Sequence, residues 1–159
     1  LCSIGGIPLI FLGEEWGMLN DYDYLTDKEK KDDSRWVHRP KMDWSLLKEL
    51  KKKKSVRARI FREMQELFEQ RKTRAAFTGS QMRLLETDND HVISYLRWCD
   101  GAILVVIANF SDAPQTINMR RLRTEGLAHF FKDCLSERII STHDTLDLEP
   151  YGLLWLVED

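Results

Sequence analysis

The second half of the chain consists of short apolar segments separated by turn-forming residues. Asp100-Gly101 lies between two of these segments. Asp-Gly in that position is a strong hairpin signal, because glycine tolerates the positive φ that a tight turn requires. The predicted strands are Met82–Glu86, Val92–Trp98, Ala102–Phe110, Gln115–Met119, Arg138–Ser141 and Leu153–Val157. Short strands at this spacing predict a small antiparallel β-sandwich with Greek-key connections.

The first half of the chain has a different pattern. The continuous apolar run Ile7–Leu12 predicts a strand of the kind that is buried on both faces of a parallel sheet. A polar and aromatic stretch follows as far as about Trp44, and loops of that length are often functional. Apolar residues then recur every three or four positions, which predicts a helix over roughly Leu46–Thr73. We therefore predict two domains, residues 1–78 and residues 79–159.

Composition excludes several classes of protein. The 159 residues include 24 Lys and Arg against 26 Asp and Glu, whereas domains that bind nucleic acid through charge are usually much more basic. No apolar run approaches the roughly 20 residues that span a bilayer. Three widely spaced cysteines without a C-x-x-C pair predict a reducing, cytoplasmic compartment. The four histidines lack metal-ligand spacing, so we predict no metal site.

Several segments resemble one known family. Residues 6–15, Gly-Ile-Pro-Leu-Ile-Phe-Leu-Gly-Glu-Glu, resemble the eighth barrel strand of the α-amylase superfamily. Residues 32–40, Asp-Asp-Ser-Arg-Trp-Val-His-Arg-Pro, resemble the loop after that strand in amylosucrases, which use sucrose as glucosyl donor. Residues 91–97, 108–116 and 148–156 resemble the sheet domain that closes such enzymes. The resemblance covers nearly the whole chain, in order.

The resemblance implies the fold and the chemistry. It implies an α+β fragment, in which the last strand and helix of a (β/α)8 TIM barrel precede the antiparallel C-terminal domain; a complete barrel needs about 250 residues. Family members are retaining enzymes, with an Asp nucleophile and a Glu acid/base on opposite sides of the sugar. Those carboxylates follow earlier barrel strands, before Leu1. We therefore predict no catalytic residue in this chain and no cofactor.

The resemblance also implies which residues contact substrate. Arg35 matches an arginine that pairs with an Asp from another loop and forms the floor of the glucosyl pocket, a task that suits the guanidinium fork. The alternative is a surface arginine paired with Asp32 or Asp33. Trp36, His38 and Arg39 are predicted on the acceptor side, where aromatic faces stack on sugars; Trp36 could equally pack the loop.

Two other features of the sheet domain allow simpler explanations. Ser-Thr-His-Asp at residues 141–144 resembles a family signature, but it lies after strand eight, so we interpret His143 and Asp144 as turn residues. The aromatic residues of the predicted strands are expected mostly in the core, with an exposed pair as a possible starch-binding platform. These residues are Tyr95, Trp98, Phe110, Tyr151 and Trp155.

The expected function is that of the C-terminal part of an amylosucrase-like transglucosidase, with sucrose and an α-glucan as partners of the complete enzyme. Sucrose hydrolases, sucrose phosphorylases and α-glucosidases are related alternatives, and a non-catalytic carbohydrate-binding module is a third. A basic-helix interaction protein fits the near-zero net charge poorly. We predict no nucleic-acid or membrane partner. Strand Ile7–Leu12 without neighbours would expose unpaired amides, which makes self-association of the isolated chain a hazard.

Overall fold

A computed structural model describes residues 1–124 and 126–158. The chain forms two compact units. We call Leu9–Glu66 the loop unit, and Leu1–Pro8 together with Leu67–Asp159 the sheet unit. The prediction of a boundary after residue 78 stays a prediction, because the helix that precedes residue 78 contributes residues to both units.

The sheet unit is built on a six-stranded antiparallel sheet in the order β1-β2-β3-β8-β5-β6, and β4 pairs with β7 in a second, two-stranded sheet. The last strand of the chain therefore lies between β3 and β5. The strands are β1 Met82–Leu85, β2 Val92–Cys99, β3 Ala102–Asn109, β4 Gln115–Asn118, β5 Phe130–Asp133, β6 Ile139–Ser141, β7 Thr145–Leu148 and β8 Leu153–Glu158. The predicted antiparallel β domain is confirmed.

The hairpin predicted at Asp100-Gly101 forms between β2 and β3. Cys99 and Ala102 are the last partners of the ladder, so the connection is two residues long. Asp100 and Gly101 have φ values of 49° and 81°, both in the left-handed region that a tight two-residue hairpin turn requires. The local sequence is therefore sufficient to set the register of the two longest strands.

The core between the two sheets explains why the domain is a sandwich. Val105 and Ile107 of β3 and Leu156 of β8 are fully buried and belong to the same apolar cluster as Ile117 of β4 and Leu146 of β7. Because side chains alternate across a strand, the intervening residues of β3 and β8 point to the opposite face of the large sheet. Both faces of the two central strands are thus apolar.

The opposite face of the large sheet carries a second cluster, in which Trp155 is fully buried. Its ring lies 4.8 Å from that of Phe77, which belongs to the short 3-10 helix Ala75–Phe77. Leu67 and Phe68, from the end of helix α2 (Val56–Thr73), also pack against this cluster. The apolar spacing that predicted the helix thus includes residues that cover the sheet.

The loop unit contains mostly short helical turns. Its α-helical segments are α1 Leu47–Leu50 and the first part of α2, as far as Glu66. The 3-10 helices are Glu14–Trp16, Asp23–Thr26, Ser34–His38 and Trp44–Leu46. The third α-helix, α3 Arg120–Thr124, lies in the sheet unit. No described helix is long and apolar enough to cross a membrane.

Three predictions of secondary structure are corrected. No strand forms over Ile7–Leu12: no strand within residues 1–124 and 126–158 pairs with it, and Ile7 and Leu9 are 96% and 83% exposed. The helix predicted from Leu46 is interrupted between α1 and α2, at a run of four consecutive lysines. Strands β5 and β7 were not predicted. The barrel remnant that the resemblance implies stays a prediction.

Candidate functional site: a cleft in the loop unit

A cleft of about 460 Å³ lies within the loop unit. Its volume falls in the range of small-molecule sites, which are typically apolar clefts with a few polar groups. One wall is apolar and is formed by residues 11–13 together with Met18 and Leu19. The polar wall is formed by Asn20, Arg35, His38 and Arg39. The cleft therefore brings together three of the four residues predicted to contact substrate.

Two glycines set the path of the chain at the apolar wall. Gly13 and Gly17 have φ values of 105° and 68°, in the region that favours glycine. A Cβ at Gly13 would lie 2.5 Å from the sulfur of Met18, and one at Gly17 would lie 2.6 Å from Cδ1 of Ile60. A side chain at Gly13 would displace Met18 in the wall of the cleft, and one at Gly17 would displace Ile60.

Arg35 is bound to Asp33. Its Nε and Nη2 donate to Oδ1 and Oδ2 of that carboxylate, both at 2.8 Å, and the backbone N of Arg35 also donates to Oδ1 at 3.0 Å. These bonds lower the pKa of Asp33 to about 2 and raise the pKa of Arg35. The arginine side chain is nevertheless 74% exposed. The pairing with Asp33 is the one expected of a surface arginine, which is the alternative to a partner from another loop.

The other predicted residues of the loop hold one another in place. His38 Nδ1 lies 3.2 Å from Oδ1 of Asn20, within hydrogen-bond distance. Trp36 does not line the cleft. Its ring lies 5.2 Å from Nζ of Lys30 and 5.6 Å from the guanidinium of Arg39, both within cation–π range. The structure thus places Trp36 in the packing of the loop, beside the cleft rather than in its lining.

The apolar wall was not predicted as part of a site. Residues 11 and 12 were assigned to a strand, and nothing in their local pattern indicates that they face Arg35 and His38. Glu14 is the only carboxylate among the described residues that line the cleft, and its Oε2 accepts a hydrogen bond from the N of Phe11. A retaining glycosidase needs two carboxyl groups about 5–5.5 Å apart. The cleft can hold a sugar ring, but its described lining lacks that pair.

Two residues of the Ser-Thr-His-Asp segment, His143 and Asp144, lie in a turn, as predicted. His143 and Asp144 fall between β6 and β7, where the backbone O of Asp144 accepts a bond from Met119 N. The His143 ring stacks on that of His129, with centroids 5.0 Å apart. Across the described residues, no group of three or more His, Cys, Asp or Glu side chains could hold a metal ion.

The low pKa of Asp33 can be tested directly. In an NMR pH titration of the carboxyl carbon, we expect Asp33 to titrate near pH 2, against about 4 for a free Asp. Because the folded-state pKa is the lower one, the pair stabilises the loop fully above about pH 4 and loses that effect as pH falls through about 2.

Substitution of the arginine provides the comparison for that titration. Arg35→Gln should raise the Asp33 midpoint toward 4, because the side-chain bonds from Arg35 are the largest cause of the shift, while the bond from the backbone N of residue 35 remains. Arg39→Gln is the matched control and should change the midpoint little, since Arg39 acts only through its distant charge. An unchanged midpoint in Arg35→Gln would show that the pair does not exist in solution.

Comparison with known proteins gives a consistent assignment for the sheet unit. Residues 82–155 match the family described as Maltogenic Amylase, C-terminal domain. These residues contain all eight strands apart from the last three positions of β8. The matched residues form an antiparallel β domain.

Solved structures with the same fold include AmyP in complex with maltose and a variant of AmyP in complex with maltotriose. The TM-scores are 0.56 and 0.55, each at 13% identity over 64% of this chain and 21% of that chain. A mutant of MutB in complex with the substrate sucrose gives a TM-score of 0.49 at 20% identity, over 70% of this chain and 19% of that chain. This chain therefore spans about a fifth of the length of the structures it matches.

Proposed function

We propose that this chain is the C-terminal part of a larger enzyme that transfers glucose from sucrose to an α-glucan with retention of configuration. The observation that carries the proposal is the match of residues 82–155 to an amylase C-terminal domain. That domain follows a segment with an amylosucrase-like Asp-Ser-Arg-Trp block. The small share of the matched structures that this chain spans supports a longer parent enzyme.

The catalytic carboxylates are proposed to lie in the part of the enzyme that precedes this chain. In a retaining mechanism one carboxylate attacks the anomeric carbon, while a carboxylic acid protonates the departing fructosyl oxygen. The second group then removes the proton from the acceptor hydroxyl. The lining of the cleft, in which Glu14 is the single carboxylate among the described residues, supports this division of labour.

The proposed role of this chain in the reaction is to hold the glucosyl unit. The Arg35 side chain is 74% exposed, and its Nε and Nη2 bind both oxygens of Asp33. A carboxylate from another loop would replace Asp33 at this fork. His38 and Arg39 are proposed to form hydrogen bonds with the hydroxyl groups of the acceptor, and Trp36 to keep Arg39 in position through the cation–π contact. The apolar wall would contact the C–H face of a sugar ring.

Related activities remain alternatives within the same superfamily. Sucrose hydrolysis, sucrose phosphorolysis and α-glucosidase action need the same C-terminal domain and differ in the acceptor or in the donor. A non-catalytic carbohydrate-binding module is favoured by one specific observation, the exposure of Phe110 and Tyr151 on the sheet unit.

The proposal is tested by fructose release from sucrose. We expect the full-length product of the gene to release fructose and the 159-residue chain alone to release none, because the catalytic pair is proposed to lie outside it. Turnover by the chain alone would overturn the division of labour. Absence of turnover by both would overturn the choice of sucrose as donor, and maltose would then be assayed.

A matched pair of variants separates the role of Arg35 from that of a general positive charge. In the full-length enzyme, Arg35→Lys should lower kcat/KM for sucrose by at least about tenfold, since lysine cannot replace the bidentate fork. Arg39→Lys should have a smaller effect, because Arg39 makes no bidentate pair among the described residues. Equal effects of the two changes would contradict the proposed role of Arg35.

A further inference from the structure

Two exposed aromatic residues lie on neighbouring backbone segments at one end of the large sheet. Phe110, directly after β3, is 73% exposed, and Tyr151, two residues before β8, is 69% exposed. Backbone hydrogen bonds on either side join the two segments: Asn109 N donates to Gly152 O at 2.9 Å, and Tyr151 N donates to Ser111 O at 3.1 Å. These bonds hold the two residues as neighbours. Exposed aromatic side chains on neighbouring segments commonly mark a binding surface.

The backbone that carries these rings is rigid. Asn109 is 3% exposed, and its Nδ2 donates to the carbonyl oxygens of Ala113 and Glu149 at 2.8 and 2.9 Å. Its Oδ1 accepts from Ser111 N at 2.9 Å. The amide therefore connects the turn after β3 with the turn before β8. Tyr151 itself has a φ of 55°, a conformation that a non-glycine residue keeps only where surrounding contacts impose it.

Phe110 also forms one side of a shallow groove of about 820 Å³. The other side is the loop between β1 and β2, which contributes Asp88, Asp90 and His91. The backbone O of His91 accepts from Phe110 N at 2.8 Å, so the ring and the loop are directly connected.

Two polar side chains fix the loop between β1 and β2 from inside. Thr87 Oγ1 donates to the backbone O of Val92 at 2.9 Å. Asn89 Nδ2 donates to Oε1 of Gln115 at 3.0 Å, and Asn89 Oδ1 accepts from His91 N at 3.0 Å. The groove is therefore built from ordered backbone on both sides, as a preformed binding site requires.

The polar groups of the groove indicate the class of ligand. Asp88 is held by Arg121 through two bonds of 2.7 Å. Within the described part of the chain, the Asp90 carboxylate and the His91 imidazole have no hydrogen-bond partner. Glu86 adds a third carboxylate, so acidic groups outnumber the single arginine and an anionic ligand is disfavoured. Aromatic faces beside free hydrogen-bonding groups suit a neutral ring whose C–H face stacks and whose hydroxyls donate to a carboxylate.

We propose that Phe110, Tyr151, Asp90 and His91 form a binding site for a neutral oligosaccharide. Phe110 and Tyr151 stack on sugar rings, Asp90 accepts hydrogen bonds from hydroxyl groups, and His91 exchanges a further hydrogen bond. The choice of an α-glucan as the ligand rests on the proposed function, whereas the geometry by itself requires only a neutral sugar polymer.

The experiment is affinity electrophoresis of the 159-residue chain in native gels that contain soluble starch, a soluble β-glucan, dextran sulfate or no polymer. We expect starch to retard the chain. The double variant Phe110→Ala/Tyr151→Ala should bind at least about tenfold more weakly, because both stacking surfaces are removed. Phe130→Ala is the matched control, since Phe130 is 52% exposed at another position of the same sheet, and it should migrate as the unchanged chain does.

Further variants and gels make each outcome decisive. Asp90→Asn changes one exposed side chain and should weaken retardation by several fold without altering the far-UV circular dichroism spectrum. Retardation by the β-glucan alone, lost in the double variant, would support the site and contradict the α-glucan of the proposed function. The inference is overturned if no neutral polymer retards the chain, if the double variant is still retarded, or if dextran sulfate retards the chain more than starch does.

Discussion

Replacement of Arg97 by methionine is expected to lower the free energy of unfolding of the chain by about 4 kcal/mol. Arg97 lies on β2 and is fully buried, yet its guanidinium contacts no carboxylate among the bonds of the described residues. It donates instead to backbone carbonyl oxygens of Ser3 at 3.0 Å and Gln81 at 3.1 Å. It also donates to the carbonyls of Phe77 and Gly79.

The cost of this substitution comes from the carbonyl groups that remain. Methionine fills much of the same volume, but it leaves four carbonyl acceptors without this donor. The bonds to Ser3 and Phe77 are buried, and each orphaned buried group costs about 1–3 kcal/mol. Burial and the neighbouring charge of Arg71 already lower the pKa of Arg97, so the folded chain bears the desolvation of this cation. That arrangement is tolerated because one side chain joins residues 3, 77, 79 and 81 to the sheet.

Urea unfolding followed by far-UV circular dichroism measures the effect. Arg97→Lys should fall between the wild type and Arg97→Met, because an ammonium group can reach only some of the four oxygens. Arg59→Met is the control: Arg59 is 65% exposed and pairs with Glu63 at 3.7 Å, a contact worth at most about 1 kcal/mol. A loss below 1 kcal/mol for Arg97→Met would mean that water replaces the guanidinium.

Arg97 illustrates which part of the fold could not be predicted from the sequence. The hairpin at Asp100-Gly101 could be predicted, because turn chemistry and flanking apolar runs are local signals. The role of Arg97 depends on four carbonyls that only the folded chain brings together. A charged residue within an apolar strand would ordinarily be expected at the surface. The signal that could have identified it was its position between Leu96 and Trp98, in a strand buried on both faces.

The missed strands have a similar explanation. In β7, buried and exposed residues alternate: Leu146 and Leu148 are buried, and Thr145 and Asp147 are exposed. Four residues are nevertheless too few to distinguish a strand from a turn by their pattern. β5 contains Lys132 and Asp133, residue types that are depleted in strands. Its strand structure follows from pairing with β6 and β8 rather than from its own propensity.

In the candidate site, too, one part could be predicted from the sequence and another could not. The polar wall of the cleft was predicted, because Arg35, His38 and Arg39 lie within a short, distinctive block. The apolar wall was not, since the contact between residues 11–19 and that block depends on the turns at Gly13 and Gly17. The partner of Arg35 was left open between two neighbouring aspartates and another loop, and in the structure Asp33 holds it.

Asp133→Ala is the second substitution with a large expected effect, a loss of about 3 kcal/mol in the free energy of unfolding. Asp133 ends β5 and is 1% exposed. Its Oδ1 accepts from Trp155 N at 2.9 Å, and its Oδ2 accepts from the backbone N of Ser136 at 3.0 Å and from the hydroxyl of the same residue. The carboxylate therefore joins the β5–β6 turn to β8. Alanine would leave the buried N–H of Trp155 and the partly buried donors of Ser136 without an acceptor.

Asp133→Asn separates the loss of an acceptor from the loss of volume. The amide oxygen can still accept from Trp155 N, but the amide nitrogen would face the N–H of Ser136, so we expect an intermediate loss of about 1–2 kcal/mol. Asp147→Ala is the matched control, since Asp147 lies on the exposed side of β7 and accepts only from the hydroxyl of Thr116. If Asp133→Ala and Asp147→Ala unfold at the same urea concentration, the buried carboxylate does not hold the β5–β6 turn against β8.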